Sequence, residues 1–212
     1  RFDAAITALR KATALPDPAE AAPRLFAVLM AAKKRDEALA FETQWTASHP
    51  QDLLFQGAAA DTLLARGDLE GALTRYEALL KRTPDALQVL NNVAWLRSKL
   101  GKGGALELVE RGLKLGADYG PLRDTYATVL ANEKQFAKAL TVQRQLITDQ
   151  PDQPAYRVNL AEILIQSGDK AAARTELESL AKQGNKVPQQ ARSEEHTSEL
   201  QSRLHLVCRL LL

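Results

Sequence analysis

Residues 53–84 read LLFQGAAADTLLARGDLEGALTRYEALLKRTP, and this stretch contains two segments with helical spacing. Apolar residues recur every three or four positions in 53–65 and again in 69–82, as on one face of a helix. Gly67 lies between the segments and supplies a left-handed exit from the first helix, while Asp68 can cap the second. Pro84 cannot continue the second helix. The stretch therefore predicts a pair of helices joined by a tight turn.

The same pattern recurs along the chain with a period of about 34 residues. Pro16, Pro50 and Pro84 fall at this spacing. When the blocks are aligned, one column contains only alanine, namely Ala38, Ala72, Ala105, Ala139 and Ala173. A single helix pair cannot bury its own apolar face, so this period predicts an array of stacked pairs.

The composition supports an all-α fold and excludes several other classes. The chain is 45% hydrophobic but only 5% aromatic, and β-branched runs are nearly absent, which argues against strand cores. Its 28 basic and 26 acidic residues are interspersed, so no basic surface predicts nucleic-acid binding. No apolar stretch is long enough to span a membrane. The chain starts at Arg1, within a predicted helix, and we expect it to be a fragment.

The C-terminal residues differ from the repeats. Residues 192–202, RSEEHTSELQS, resemble an in-frame translation of a common sequencing adapter, and we predict a non-native tail over 188–212. The alternative is a genuine C-terminal amphipathic helix. This tail holds Cys208, His196 and His205, whose spacing matches no usual zinc site. Without it the chain has no cysteine and a single histidine, His49.

The helix pairs, small-residue columns and closing prolines resemble the tetratricopeptide repeat. The resemblance implies a right-handed α-solenoid with a concave groove. It predicts that residues 1–18 contain the second helix of a truncated preceding repeat. Five repeats follow, at 19–52, 53–86, 87–119, 120–153 and 154–187.

A narrower group is also similar to this chain. The segments WTASHP at 45–50, YEALL at 76–80 and LNNVAWL at 90–96 resemble the tetratricopeptide lipoproteins of bacterial PEP-CTERM/exosortase systems, which are associated with exopolysaccharide loci. This resemblance implies a lipid-anchored protein on the periplasmic side of the cell envelope, with a cytoplasmic location as the open alternative. A generic bacterial adaptor and a structural spacer are the alternative functions.

The sequence gives no indication of catalysis. His49 stands alone beside a turn proline, with no Ser and Asp in a nucleophile arrangement. The glycines of 101–104 lack the spacing of a phosphate-binding loop. We therefore expect a non-catalytic protein without a cofactor or metal, although an enzyme domain in a missing N-terminal part stays open.

The expected partner is a protein or peptide. In the tetratricopeptide family, positions two, five, nine and twelve of each unit line the groove. The resemblance thus implies a partner-binding groove that contains Asp61, Asn91, Trp95, Ser98, Asp124, Thr128, Val158 and Glu162. Trp95 lies off the apolar stripe of its helix, which predicts either an exposed contact residue or packing between neighbouring first helices. The predicted groove positions include acidic residues but no Lys or Arg, which favours a basic, neutral or extended polar segment over an acidic C-terminal peptide.

Overall fold

The structure, a computed structural model, describes residues 1–15, 18 and 20–184. Within this part the chain forms eleven α-helices and no strands, so the predicted all-α class is confirmed. The helices are α1 Phe2–Ala12, α2 Ala21–Ala31, α3 Arg35–Ser48, α4 Leu53–Ala65, α5 Leu69–Arg82, α6 Leu87–Lys99, α7 Ala105–Leu115, α8 Gly120–Asn132, α9 Phe136–Asp149, α10 Pro154–Ser167 and α11 Lys170–Gly184. The predicted tail at 188–212, with Cys208, His196 and His205, lies outside the described residues.

The chain divides into two compact units, Arg1–Leu96 and Arg97–Leu212. In the first unit α2 packs against α1, α3 and α4, and α4 packs against α5. In the second unit α8 packs against α7, α9 and α10, and α10 packs against α9 and α11. Successive antiparallel helices thus stack as pairs within each unit, which is the arrangement of an α-helical solenoid.

Aspartate side chains begin several of the helices. The Asp52 carboxylate accepts a hydrogen bond from the Phe55 amide at 2.9 Å at the start of α4. Asp68 accepts from the Gly71 amide at 2.9 Å, and Asp169 accepts from Ala172 at 3.0 Å. Each cap satisfies an amide that has no partner inside its helix. The Asp residues that follow the turns therefore set where the helices start.

The turns between paired helices use a left-handed residue. Gly67 has φ 78° and Gly168 has φ 93°, as expected from the sequence. Two other turns place lysine in the same conformation, with φ 61° at Lys33 and 64° at Lys134. A Cβ in this region contacts the backbone, so both lysines are less favourable there than glycine.

The core of the first unit contains an aromatic cluster. Phe26 stands in a column of small residues, yet its side chain is fully buried and packs edge-on against Phe55, with ring centroids 6.2 Å apart. Phe41 packs edge-on against the same Phe55 ring at 5.9 Å. Trp45 is buried, stacks on His49 at 3.9 Å, and donates from Nε1 to an Asp52 oxygen at 2.9 Å. His49 is thus part of a packed turn in which its ring covers the indole.

Two apolar clusters lie in the described part of the second unit. One joins α10 and α11 through Leu160, Leu164 and Leu177, and the other joins α8 and α9 through Leu130 and Ala139. A Cβ added to Gly112 would lie 2.5 Å from Leu122 Cδ2. The absence of that Cβ allows α7 to approach α8 closely, so Gly112 is required by packing.

Ion pairs link α3 to α5 in the first unit. The Arg75 guanidinium donates to both Glu42 carboxylate oxygens, each at 2.6 Å, and both side chains are mostly buried. Arg35 donates to the Asp68 carboxylate at 2.6 Å. That hydrogen bond and the Gly71 amide hold the pKa of Asp68 below its usual value. These pairs join one helix pair to the next by side chains that are 33 residues apart.

Candidate functional site: two polar clusters on the first helices

The first unit contains a polar cluster, here called the Asp61 cluster, formed by Asp61, Tyr76, Asn91 and Asn92. Asp61 lies exposed on α4, and the Tyr76 hydroxyl of α5 donates a hydrogen bond to its Oδ1 atom. Asn91 Nδ2 donates to Asn92 Oδ1 at 3.3 Å on α6. The cluster thus brings side chains from three successive helices to one place.

Tyr76 is the buried member that orients this cluster. Burial raises the pKa of its hydroxyl well above the ordinary value, and the hydrogen bond and charge of Asp61 raise it further, while Asn92 opposes the shift. The hydroxyl therefore stays protonated and serves as a donor at physiological pH. Because Tyr76 holds Oδ1 of the carboxylate, Asp61 presents its charge in a fixed orientation.

The second unit contains a corresponding set of residues, here called the Asp124 cluster, formed by Asp124, Thr128, Gln143 and Asn159. Asp124 Oδ1 accepts hydrogen bonds from Gln143 Nε2 at 2.6 Å and from Asn159 Nδ2 at 2.9 Å. Thr128 Oγ1 lies 3.0 Å from Asn159 Nδ2 and 3.3 Å from Asn159 Oδ1. Gln143 is fully buried and also donates to the Tyr156 carbonyl at 2.8 Å. Burial and the charge of Asp124 raise the pKa of the Tyr156 hydroxyl.

Two members of each cluster use equivalent positions of the repeat, whereas the two aspartates do not: Thr128 occupies the column of Asp61. Gln143 occupies the column of Tyr76, and Asn159 occupies the column of Asn92, two repeats later. In each case the second-helix side chain donates to an aspartate on the preceding first helix. One half-buried or exposed carboxylate is therefore held on a first helix of each unit.

The other predicted groove residues differ in how accessible they are. Trp95, Asn91 and Glu162 are partly buried. Ser98 is also partly buried, and its hydroxyl accepts a hydrogen bond from Asn132 Nδ2 at 2.7 Å. Val158 is fully buried within the apolar cluster of α10 and α11, so its side chain has no surface to offer a partner.

Thr128 is nearly buried as well, with 9% of its surface exposed. The structure therefore brings Asp124 and Thr128 together through Asn159, and it places Asp61 beside Tyr76. Sequence reasoning missed Gln143 and Asn159. A glutamine at a position where another repeat has a core tyrosine is the signal that could have revealed the cluster.

The chemistry of these clusters is that of recognition. Carboxylate oxygens accept hydrogen bonds and attract cations, and amide and hydroxyl groups fix their direction. Within the described residues, no group of three His, Cys, Asp or Glu side chains is arranged to hold a metal ion. Among the helices described, none combines the length and apolar character required to cross a bilayer.

Helix pairs that stack in order define an α-helical repeat protein. Two profiles described as tetratricopeptide repeat match residues 58–116 and 130–193, which together make up more than half of the chain. The chain is a tetratricopeptide-repeat protein.

Solved structures show the same fold. A tetratricopeptide repeat protein from Parabacteroides merdae ATCC 43184 superposes with a TM-score of 0.71 at 20% identity, over 85% of this chain and 71% of that chain. A thermophilic tetratricopeptide repeat protein of Thermus thermophilus superposes with a TM-score of 0.63 at 23% identity, over 92% of this chain and 100% of that chain. YrrB is described as a tetratricopeptide repeat protein with an unusual peptide-binding site. It superposes with a TM-score of 0.54 at 16% identity, over 88% of this chain and 100% of that chain.

One curated protein is similar in sequence. The Vi polysaccharide export protein VexE of Salmonella typhi is 30% identical over 132 residues. The match covers 60% of this chain but only 20% of VexE. The similarity thus concerns a minor part of that protein.

Proposed function

We propose that the chain is a non-catalytic scaffold that binds a protein or peptide partner through the first helices of its repeats. The observation that carries this proposal is that a first helix of each unit holds an oriented carboxylate, Asp61 in one unit and Asp124 in the other. Tetratricopeptide repeats commonly act as interaction modules, and extended solenoid surfaces suit this role. The proposed contact residues also include Asn91 and Trp95 in the first unit and Ser98 and Glu162 in the second.

We assign a supporting role to two residues of the predicted set. Thr128 and Val158 are buried, so in the proposal they support the contact residues and do not touch the partner. Thr128 does so through its hydrogen bond with Asn159, which in turn donates to Asp124. The exposed or partly exposed acidic residues, Asp61, Asp124 and Glu162, favour a partner segment that is basic, neutral or extended and polar.

We place this scaffold in the bacterial cell envelope, in a system that exports polysaccharide. The similarity to VexE supports a link to export, and the sequence resemblance to lipoproteins of PEP-CTERM systems supports anchoring on the periplasmic side by an N-terminal lipid. In this proposal the repeats recruit another component of the export system.

The test is an affinity purification from envelope extracts of the source bacterium, with the chain as bait. The Trp95→Ala, Asp124→Ala double variant is compared with Lys138→Ala, which alters an exposed side chain on the second helix α9. We expect polysaccharide-export proteins among the captured partners, lost with the double variant and retained with the control. Circular dichroism verifies that both variants are folded. An unchanged partner list with the folded double variant would refute binding by this surface.

A further inference from the structure

We infer that the exposed face of α4 recognises a partner segment in the polyproline II conformation, in which an apolar and a basic side chain stand three residues apart. This inference rests on the proposed scaffold function and specifies the chemistry of one partner. It concerns only the first unit and depends on Leu54, Gly57 and Asp61, which lie on one face of α4.

Asp61 supplies the charge that selects a basic residue. Within α4, all of which the structure describes, Asp61 is the single ionisable side chain. The Tyr76 hydroxyl donates to Oδ1 and fixes the carboxylate, which can only accept hydrogen bonds when ionised. A Lys ammonium or an Arg guanidinium is the complementary donor, and a charge-assisted hydrogen bond of this kind is stronger than a neutral one.

Leu54 supplies an apolar contact on the same face. Its side chain is 78% exposed, the largest exposure among the large hydrophobic residues of the described chain. Seven residues separate it from Asp61, which is two helical turns, so both side chains point in nearly the same direction about 10 Å apart. Leu54 therefore offers an apolar contact and Asp61 an anionic contact, at a fixed distance from each other.

Gly57 leaves the surface between these points open. A Cβ added there would have Leu79 Cδ2 as its nearest neighbour, at 3.9 Å. Gly57 is therefore not needed for close helix packing, and its missing side chain leaves a depression on the helix surface. A partner backbone can approach closely at such a position. A polyproline II segment rises about 3.1 Å per residue with three residues per turn, so side chains at positions i and i+3 lie on the same side, about 9 Å apart. The spacing of Leu54 and Asp61 thus matches positions i and i+3 of a segment in this conformation.

The test uses an array of synthetic nine-residue peptides that contain one Leu and, three residues later, Arg, Gln or Glu. A second set moves the Arg to one or six residues after the Leu. Binding of the labelled chain is quantified on the array, and the strongest peptides are titrated by fluorescence anisotropy. Three variants are compared with the parent chain: Asp61→Asn, which keeps the acceptor for Tyr76, Leu54→Ser, and Gly57→Leu.

We expect the Arg peptides of correct spacing to bind about tenfold more tightly than the Glu peptides, which is the effect of one charge-assisted contact. Asp61→Asn should reduce this preference to about twofold or less. Leu54→Ser should weaken the binding of Arg and Glu peptides to the same extent. Gly57→Leu should abolish peptide binding while the circular dichroism spectrum of the protein is unchanged.

Three results would overturn the inference: equal binding of Arg and Glu peptides, a preference that survives Asp61→Asn, or no binding of any peptide. Sedimentation analysis adds a fourth, because self-association abolished by Leu54→Ser would make this face a contact between copies. If the envelope purification still depends on Trp95 and Asp124, such results remove only this inference. If that purification fails as well, the scaffold proposal fails independently.

Discussion

Replacing Lys33 by glycine should stabilise the protein, because Lys33 adopts a left-handed conformation that other repeats assign to glycine. Its φ is 61°, and the corresponding residue between α4 and α5 is Gly67 with φ 78°. The side chain of Lys33 is exposed, so its removal sacrifices little packing. The left-handed conformation costs a non-glycine residue roughly 1–2 kcal/mol, and the greater freedom of glycine in the unfolded chain offsets roughly 0.5–1 kcal/mol of this.

The expected net gain for Lys33→Gly is thus about 0.5–1 kcal/mol in the free energy of unfolding. Urea titration followed by circular dichroism at 222 nm measures this quantity, and the fluorescence of Trp45 and Trp95, which both lie in the first unit, reports on that unit. The matched control is Lys33→Ala, which removes the charge and the long side chain but keeps the Cβ. The reasoning is refuted if Lys33→Gly is no more stable than Lys33→Ala.

Two further pairs of substitutions test the ion pairs and the packing. Glu42→Ala should lower the free energy of unfolding by about 1–3 kcal/mol, because it leaves the mostly buried Arg75 guanidinium without its two 2.6 Å contacts, whereas Glu20→Ala at an exposed pair should change it by less than about 0.5 kcal/mol. Equal losses in the free energy of unfolding for Glu42→Ala and Glu20→Ala, measured by urea titration, would contradict this expectation. Gly112→Ala should destabilise the protein by about 1 kcal/mol, because the clash with α8 outweighs the gain in helix propensity, while Gly57→Ala should stabilise it by roughly 0.5–1 kcal/mol. Thermal melts that shift in the same direction for both would refute the packing argument.

The fold could be predicted from the sequence because helices and turns depend on local patterns. The period of small residues and prolines predicted helix pairs, and the turns at Gly67 and Pro84 lie between helices as expected. The left-handed conformation of Lys33 and Lys134 in two other turns was not predicted, because lysine rarely adopts a positive φ.

The candidate site could be predicted less well because it depends on how helices are placed against each other. Asp61 and Asp124 were found from their position in the repeat, but the groups that hold them come from other helices. Gln143 would ordinarily be assigned to solvent, whereas it is fully buried and donates to Asp124. Val158 has the expected position in its helix and yet is buried in an apolar cluster. Position in a repeat therefore does not determine exposure.

The ion pairs of the first unit make the helix pairs non-interchangeable. Glu42 of α3 matches Arg75 of α5, and Arg35 of α3 matches Asp68 at the start of α5. Each of these partners sits on a different helix pair, so shuffling or duplicating the modules would set unmatched charges against one another. A permuted array would keep every helix-forming segment but lose both of these ion pairs. The charged side chains where these two helix pairs meet therefore favour their order along the chain.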